Sequence, residues 1–145
     1  MYVAFEKTPP SSLCAVSGEP GRSWIVPHAH RAVATARQEV RCALVEAGGV
    51  GEGAADDALL VVSELTTNSI THALPPVTLR VAVLDQECIR IEVVDSGAPP
   101  PGCRQAGQPT DEHGRGNAIV STVASRTGEL AQAGRVTRWA EVPLD

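Results

Sequence analysis

The chain has 145 residues, of which 43% are hydrophobic and 3% aromatic, and it carries a net charge of −5. Its 12 basic side chains are scattered, whereas nucleic acids and anionic membranes bind to positive patches, so neither is an expected partner. The sequence shows no signal-peptide core and no apolar run of roughly 18–20 residues, the length of a membrane span. We therefore expect one cytoplasmic domain over residues 1–145, with residues 1–12 loosely held.

The first half of the chain predicts one strand and two helices. Residues 13–26 predict a strand that is interrupted by a Gly- and Pro-containing turn. In residues 28–47 apolar side chains recur in steps of three and four, which predicts an amphipathic helix that ends at a Gly-Gly pair. A second helix is predicted for residues 54–73, with Asp56 and Asp57 in its first turn and two prolines after its end.

The second half predicts strands and a long loop. Alternating apolar residues indicate a strand pair at Val77–Leu84 and Ile89–Val94. Residues 96–113 contain four prolines and three glycines and predict a loop. The remaining predicted elements are a helix at 116–125 and strands at 128–131 and 135–143. Strand pairs with helices on one face predict an α+β two-layer sandwich with a mixed, mostly antiparallel sheet.

The four cysteines do not have the spacing of a metal site. Cys14, Cys42, Cys88 and Cys103 form no CxxC pair, and no HExxH motif accompanies them, so zinc is not predicted. A disulfide is not expected in a cytoplasmic protein. We expect Cys42 on a helix and Cys88 at a strand start to be buried as small hydrophobic residues, and the other two to be loop thiols.

One side of the second predicted helix is polar, although the helix begins as an apolar run. At about 100° per residue, Glu64, Asn68 and Thr71 fall on this side. The opposite side collects the expected core residues, which are Leu59, Val62, Thr66, Ser69 and Ala73. One interpretation is a pair of solvated side chains one turn apart. The other is a cation site, because Mg²⁺ takes oxygen ligands and usually keeps several waters.

Two further signals flank the proline-rich loop. Asp95, followed by Gly97, comes directly after a predicted strand. It is either an ordinary turn or a carboxylate that accepts a hydrogen bond from an exocyclic amine, with the glycine leaving room for a flat ring. Gly114, Arg115 and Gly116 open the third predicted helix. They form either a hinge with a solvated arginine or a set of backbone N–H groups that bind an anion.

The three signals together describe a binding site for a purine nucleoside triphosphate. The site would consist of a cation-binding helix face, an amine acceptor and a phosphate-binding helix start. The loop of residues 96–113 lies between these signals in the sequence and would act as a lid over the site. The Walker pattern GxxxxGK[ST] and the dinucleotide pattern GxGxxG are both absent, which excludes the two familiar phosphate-loop folds.

The motifs resemble those of the GHKL ATPase/kinase superfamily, in particular its anti-sigma-factor serine/threonine kinase-like ATP-binding proteins. The stretch VVSELTTNSITHA is similar to the family's N-box, VVDSG to its G1 box and HGRGNAIV to its G2 box. The resemblance covers about residues 24–144 and implies a Bergerat-type sandwich. It also implies that Glu64 is a general base and that Asn68 binds Mg²⁺.

The same resemblance assigns the remaining site residues. It implies adenine recognition by Asp95, close backbone approach at Gly97, and phosphate binding by Gly114, Arg115 and Gly116. The expected cofactors are ATP and Mg²⁺, and the expected partners are a sigma factor and a STAS-type anti-anti-sigma protein. A homodimer is also implied.

Three functional hypotheses follow from the sequence. The first is an anti-sigma factor in transcription regulation, with serine/threonine protein kinase activity toward its STAS partner. The second is a nucleotide-binding interaction module that controls a partner without phosphoryl transfer. The third is an α+β domain that binds no ligand.

Overall fold

A five-stranded sheet forms the centre of the computed structural model, which describes residues 21–100 and 118–144. The elements in chain order are β1 (Gly21–Val26), α1 (Ala32–Ala47), α2 (Glu52–His72), β2 (Val77–Leu84), β3 (Cys88–Asp95), a helical segment at 118–123, β4 (Arg126–Gln132) and β5 (Arg135–Pro143). Residues 1–12, the part of the first predicted strand before residue 21, and most of the predicted loop lie outside the described residues.

The strand order is β1-β2-β3-β5-β4, and all four pairings among these strands are antiparallel. A two-residue turn joins β4 to β5, and both its residues, Ala133 and Gly134, have positive φ angles of 53° and 77°. Positive φ at both central positions suits a tight hairpin, because the twist of such a turn matches that of the strands. The α+β prediction is confirmed.

The core lies between the two long helices and one face of the sheet. Alternate residues of each strand point to this face. The core includes Val40, Leu44, Leu59, Val61, Val62, Leu79, Ile89, Ile91, Val93 and Val142. Among the described residues, no helix is both long and apolar enough to cross a membrane.

Both long helices begin at a different residue from the predicted one. A turn precedes α1, and in it the amide of Ala32 donates a hydrogen bond to the carbonyl of Ala29. The helix therefore starts at Ala32, four residues after His28. By contrast, α2 begins at Glu52, which is the acidic residue of its first turn. Asp56 and Asp57 therefore lie in the second turn, and their predicted place in the first turn was wrong.

The prediction that Cys42 is buried was also wrong. Cys42 is on α1 as expected, but it is exposed because it lies on the side away from the buried stripe of that helix. Cys88 is half-buried at the start of β3. Its burial raises the pKa of the thiol, and the carboxylate of Glu141 adds to that shift. Cys14 and Cys103 lie outside the described residues.

Candidate functional site

The polar side of α2 borders the core without being part of it. Glu64 and Asn68 are both half-buried, one helical turn apart. The opposite side of the helix is buried, as its periodicity predicts, with Val62, Thr66 and Ser69 fully enclosed. Thus α2 holds the two candidate side chains at the boundary of the core.

Asp95 is the most enclosed of the predicted site residues that the structure describes. It is the last residue of β3 and is 0% exposed. Its Oδ2 accepts hydrogen bonds from the hydroxyl of Ser69 at 2.6 Å and from Nη1 of Arg138 at 3.0 Å. Its Oδ1 accepts one from the backbone N–H of Gly97 at 2.8 Å. A buried carboxylate is tolerated when it has such partners.

Gly97 is needed for the shape of this turn. Its φ of +81° lies in the left-handed region, where L side chains are strained. In this conformation its amide points back to Asp95. A Cβ atom at Gly97 would lie 3.6 Å from Cγ2 of Val136, which is ordinary contact. The backbone conformation therefore requires the glycine, and crowding does not.

Two backbone hydrogen bonds join the end of α2 to the end of β3. The amide of Leu74 donates to the carbonyl of Gly97, and the amide of Ser96 donates to the carbonyl of Leu74, both at 2.9 Å. We call this pair of bonds the Leu74 bridge. Nε2 of His28 also lies 2.9 Å from the carbonyl oxygen of Ala73. The Leu74 bridge brings the candidate cation helix and the candidate base site together.

The sequence reasoning missed two residues of the site, Ser69 and Arg138. Ser69 was placed on the core side of α2, and its hydroxyl is what links that helix to Asp95. A polar residue on an apolar stripe was the available signal. Arg138 lies on β5 opposite Val93, so its side chain shares a sheet face with Asp95. No local pattern in the sequence indicates that pairing.

A cavity of about 250 Å³ lies beside Arg138. Its other walls include Leu65 of α2, Val120 of the helical segment, and Thr127 and Glu129 of β4. Pockets that enclose a whole small-molecule ligand are roughly 300–1,000 Å³. This cavity is smaller than that, and Arg138 lines it whereas Glu64, Asn68, Asp95 and Gly97 do not.

The predicted phosphate-binding residues come before the helical segment at 118–123. Gly114, Arg115 and Gly116 lie outside the described residues. Within residues 21–100 and 118–144, no group of three His, Cys, Asp or Glu side chains could hold a metal ion. A Mg²⁺ ion at Asn68 would thus depend on phosphate oxygens and water for its other ligands, which is its usual coordination in nucleotide sites.

Known structures share this fold. The RsbU and RsbW domains of Rv1364c from Mycobacterium tuberculosis match with a TM-score of 0.65 and 19% identity, over 85% of this chain and 32% of that chain. The Erythrobacter litoralis EL346 blue-light activated histidine kinase matches with a TM-score of 0.50 and 24% identity, over 66% and 32%. Its histidine kinase domain matches with a TM-score of 0.50 and 16% identity, over 93% and 70%. The chain thus spans about a third of the first two structures.

Sequence comparison gives the family. No curated protein sequence matches the chain significantly. The histidine kinase-like ATPase domain family, however, matches residues 26–139, which include Glu64, Asn68, Asp95 and Arg138. The match covers well over half of the chain. The chain belongs to the histidine kinase-like ATPase domain family.

Proposed function

We propose that this protein is an ATP-binding regulator of transcription. It binds Mg-ATP, sequesters a sigma factor, and transfers the γ-phosphoryl group to a serine of a STAS-type partner. Its family supports nucleotide binding. The fold likeness to a protein that contains an RsbW domain supports the regulatory class. The observation that carries the proposal is the buried carboxylate of Asp95, which a hydroxyl of the N-box helix holds in place.

Asp95 suits an adenine amine. An ionised carboxylate only accepts hydrogen bonds and has about four acceptor positions. The described residues fill two positions on Oδ2 and one on Oδ1. The position that is left on Oδ1 can accept one N–H of an exocyclic amine. In a buried site this bond is strong, because no water competes for it.

Asn68 and Glu64 have separate roles at the other end of the nucleotide. Asn68 supplies an amide oxygen to Mg²⁺, and the ion offsets charge on the phosphates when bound. Glu64 accepts the proton of the partner's serine hydroxyl. The serine oxygen bonds to the γ-phosphorus, and the bond from that phosphorus to the bridging oxygen breaks, so ADP leaves with that oxygen. Such transfer depends mainly on positioning and electrostatics.

The decisive experiment measures transfer of labelled phosphate from γ-labelled ATP to a STAS protein from the native host. With Glu64→Gln, we expect the transfer rate to fall by about 10²- to 10⁴-fold, the usual contribution of a general base. ATP affinity should change little. Glu52→Gln removes an exposed carboxylate from the start of the same helix and is the matched control.

The result distinguishes the three hypotheses. Transfer that Glu64→Gln does not slow would contradict the general-base role. Intact ATP binding without transfer to any STAS protein would make the chain an interaction module. Failure of a fluorescent ATP analogue to bind in millimolar Mg²⁺ would leave a domain with no nucleotide. Sedimentation with and without ATP tests the homodimer.

Asn68→Ala tests the metal role separately. Because Asn68 is half-buried at the boundary of the core, we expect the fold to survive and the Mg²⁺-dependent part of ATP affinity to be lost. ATP titrations with Mg²⁺ and with a chelator measure that part. A variant that unfolds, or one whose affinity still depends on Mg²⁺ as in the wild type, would show that Asn68 is structural.

A further inference from the structure

Arg138 is the one charged partner of Asp95 among the described residues, and the family motifs assign it no role. Its guanidinium lies 3.0 Å from Oδ2 of Asp95 through Nη1. Its Nε lies 3.4 Å from Oε1 of Glu129 but makes no hydrogen bond to any described residue. The side chain also lines the 250 Å³ cavity. Asp95 itself does not line that cavity. Arg138 is therefore the residue that connects the buried carboxylate to the cavity.

The hydrogen bonds of Asp95 limit the groups that it can bind. Since Ser69 and Arg138 fill both positions on Oδ2, only one position on Oδ1 remains. A base edge with two neighbouring donors, such as the N1–H and N2–H of guanine, needs both oxygens of a carboxylate. Asp95 can therefore bind one donor but not two.

Beside that single acceptor, Arg138 offers donors. Its guanidinium has five N–H groups in a rigid fork. Asp95 and Arg138 together thus present an acceptor next to a donor. Adenine presents the complementary pair, because its amine donates and the neighbouring ring nitrogen accepts. A base with a carbonyl in place of the amine would direct that oxygen at the carboxylate.

We propose that Arg138 is a specificity-determining residue that donates a hydrogen bond to the ring nitrogen beside the adenine amine while Asp95 accepts from the amine. This inference rests on the proposed nucleotide binding and adds to it a residue outside the family motifs. The Asp95–Arg138 pair selects adenine over hypoxanthine and guanine. Matched donor-and-acceptor pairs of this kind discriminate between bases by about 10- to 100-fold.

The test compares ATP with inosine triphosphate, in which a carbonyl replaces the amine, by calorimetric titration. Wild type should prefer ATP by about 10- to 100-fold, and Arg138→Met should lower the ATP-to-ITP affinity ratio by about tenfold. Deaza-ATP analogues that lack N1 or N7 sharpen the test. The analogue that lacks the ring nitrogen contacted by Arg138 should bind wild type about tenfold more weakly than ATP does. Arg138→Met should remove that difference in affinity.

Arg90→Met is the matched control. Arg90 is 15% exposed, close to the 18% of Arg138, and it also has two acidic partners on the same sheet. It lies on the other face, so its substitution should leave the ATP-to-ITP ratio unchanged. If Arg138→Met does not fold, Arg138→Lys is the second variant, because it keeps the charge without the planar guanidinium. It should show the same decrease in the ATP-to-ITP affinity ratio.

The possible outcomes are distinct. An unchanged ratio, or equal weakening of ATP and ITP, would make Arg138 a structural partner of Asp95 and overturn the inference. Tighter ATP binding by Arg138→Met would show that Arg138 blocks the site, which also overturns it. Both results leave the proposed function intact. Absence of ATP binding by the wild type would refute the proposed function, and the inference with it.

Discussion

Two buried carboxylates three residues apart on β3 are stabilised in different ways. Asp95 is 0% exposed on the face that packs against the helices, and Glu92 is 1% exposed on the other face. The donors to Asp95 come from α2, from β5 and from the turn that follows β3. The ion-pair partners of Glu92, Arg80 and Arg90, come from the sheet itself.

The surroundings of Glu92 indicate a structural role. Arg90 also pairs with Glu141 at 2.6 Å, and its guanidinium carbon lies 4.2 Å from the centre of the Trp139 ring. A Cβ added at Gly128 would lie 2.5 Å from that ring, so the indole packs directly over the backbone of β4. Charged groups and an aromatic ring thus cover one another within a single sheet face. Asp95 differs because it joins separate elements.

The largest expected effect comes from Asp95→Asn. The side-chain amide of the asparagine would point its N–H groups at groups that now donate hydrogen bonds to Asp95. The substitution would also leave Arg138 without its buried counter-charge. We expect ATP affinity to fall by about 100-fold, because the contact with the adenine amine is lost and the hydrogen-bond partners of Asp95 are displaced. Unfolding should also become easier by roughly 3 kcal/mol. Calorimetric titration and thermal melting measure the two effects, and ATP affinity close to that of the wild type would contradict the site.

Glu92→Gln tests whether Glu92 contributes to stability alone. The substitution keeps the shape but removes the charge between Arg80 and Arg90, so we expect a loss of about 1–3 kcal/mol in the free energy of unfolding. ATP affinity should stay within about twofold, because hydrogen bonds that are distant from the ligand contribute little to binding. A large loss of affinity would mean that the two faces are coupled.

Gly97→Ala should have a smaller effect. The strained φ of +81° costs an alanine about 1 kcal/mol or more, and relaxation of that strain would turn the amide away from Asp95. We expect a modest loss of stability with about a tenfold loss of ATP affinity. Gly134→Ala is the matched control, because its φ of +77° has the same backbone cost in the β4–β5 hairpin. It should lower stability without changing affinity.

Ser69→Ala should have the smallest effect. It removes one neutral donor from Oδ2 of Asp95 and leaves Arg138 in place, so the expected change is about 1 kcal/mol, or roughly fivefold in ATP affinity. Ser63→Ala removes a hydroxyl from another side of the same helix, where it bonds Leu59 and Arg37. Equal effects of the two substitutions on ATP affinity would place Ser69 outside the site.

The sequence predicted the elements better than it predicted their contacts. The helix stripe through Val40 and Leu44 and the alternation in β2 and β3 are local patterns, so the α+β class was accessible. The N-box and G1 motifs likewise pointed to α2 and Asp95. The contact between Arg138 and Asp95 spans 43 residues of sequence and depends on the register of β5 against β3. No single-strand pattern encodes that register.

The Leu74 bridge has a consequence for how this region opens. Leu74 is 40% exposed, yet its backbone amide and carbonyl are both hydrogen-bonded to the segment after β3. The amide hydrogens of Leu74 and Ser96 should therefore exchange with solvent at a common rate, because neither bond can break alone without disturbing its neighbour. Peptide fragments that contain Leu74 and Ser96, which are 22 positions apart, would then gain deuterium at the same rate, despite the surface position of this leucine.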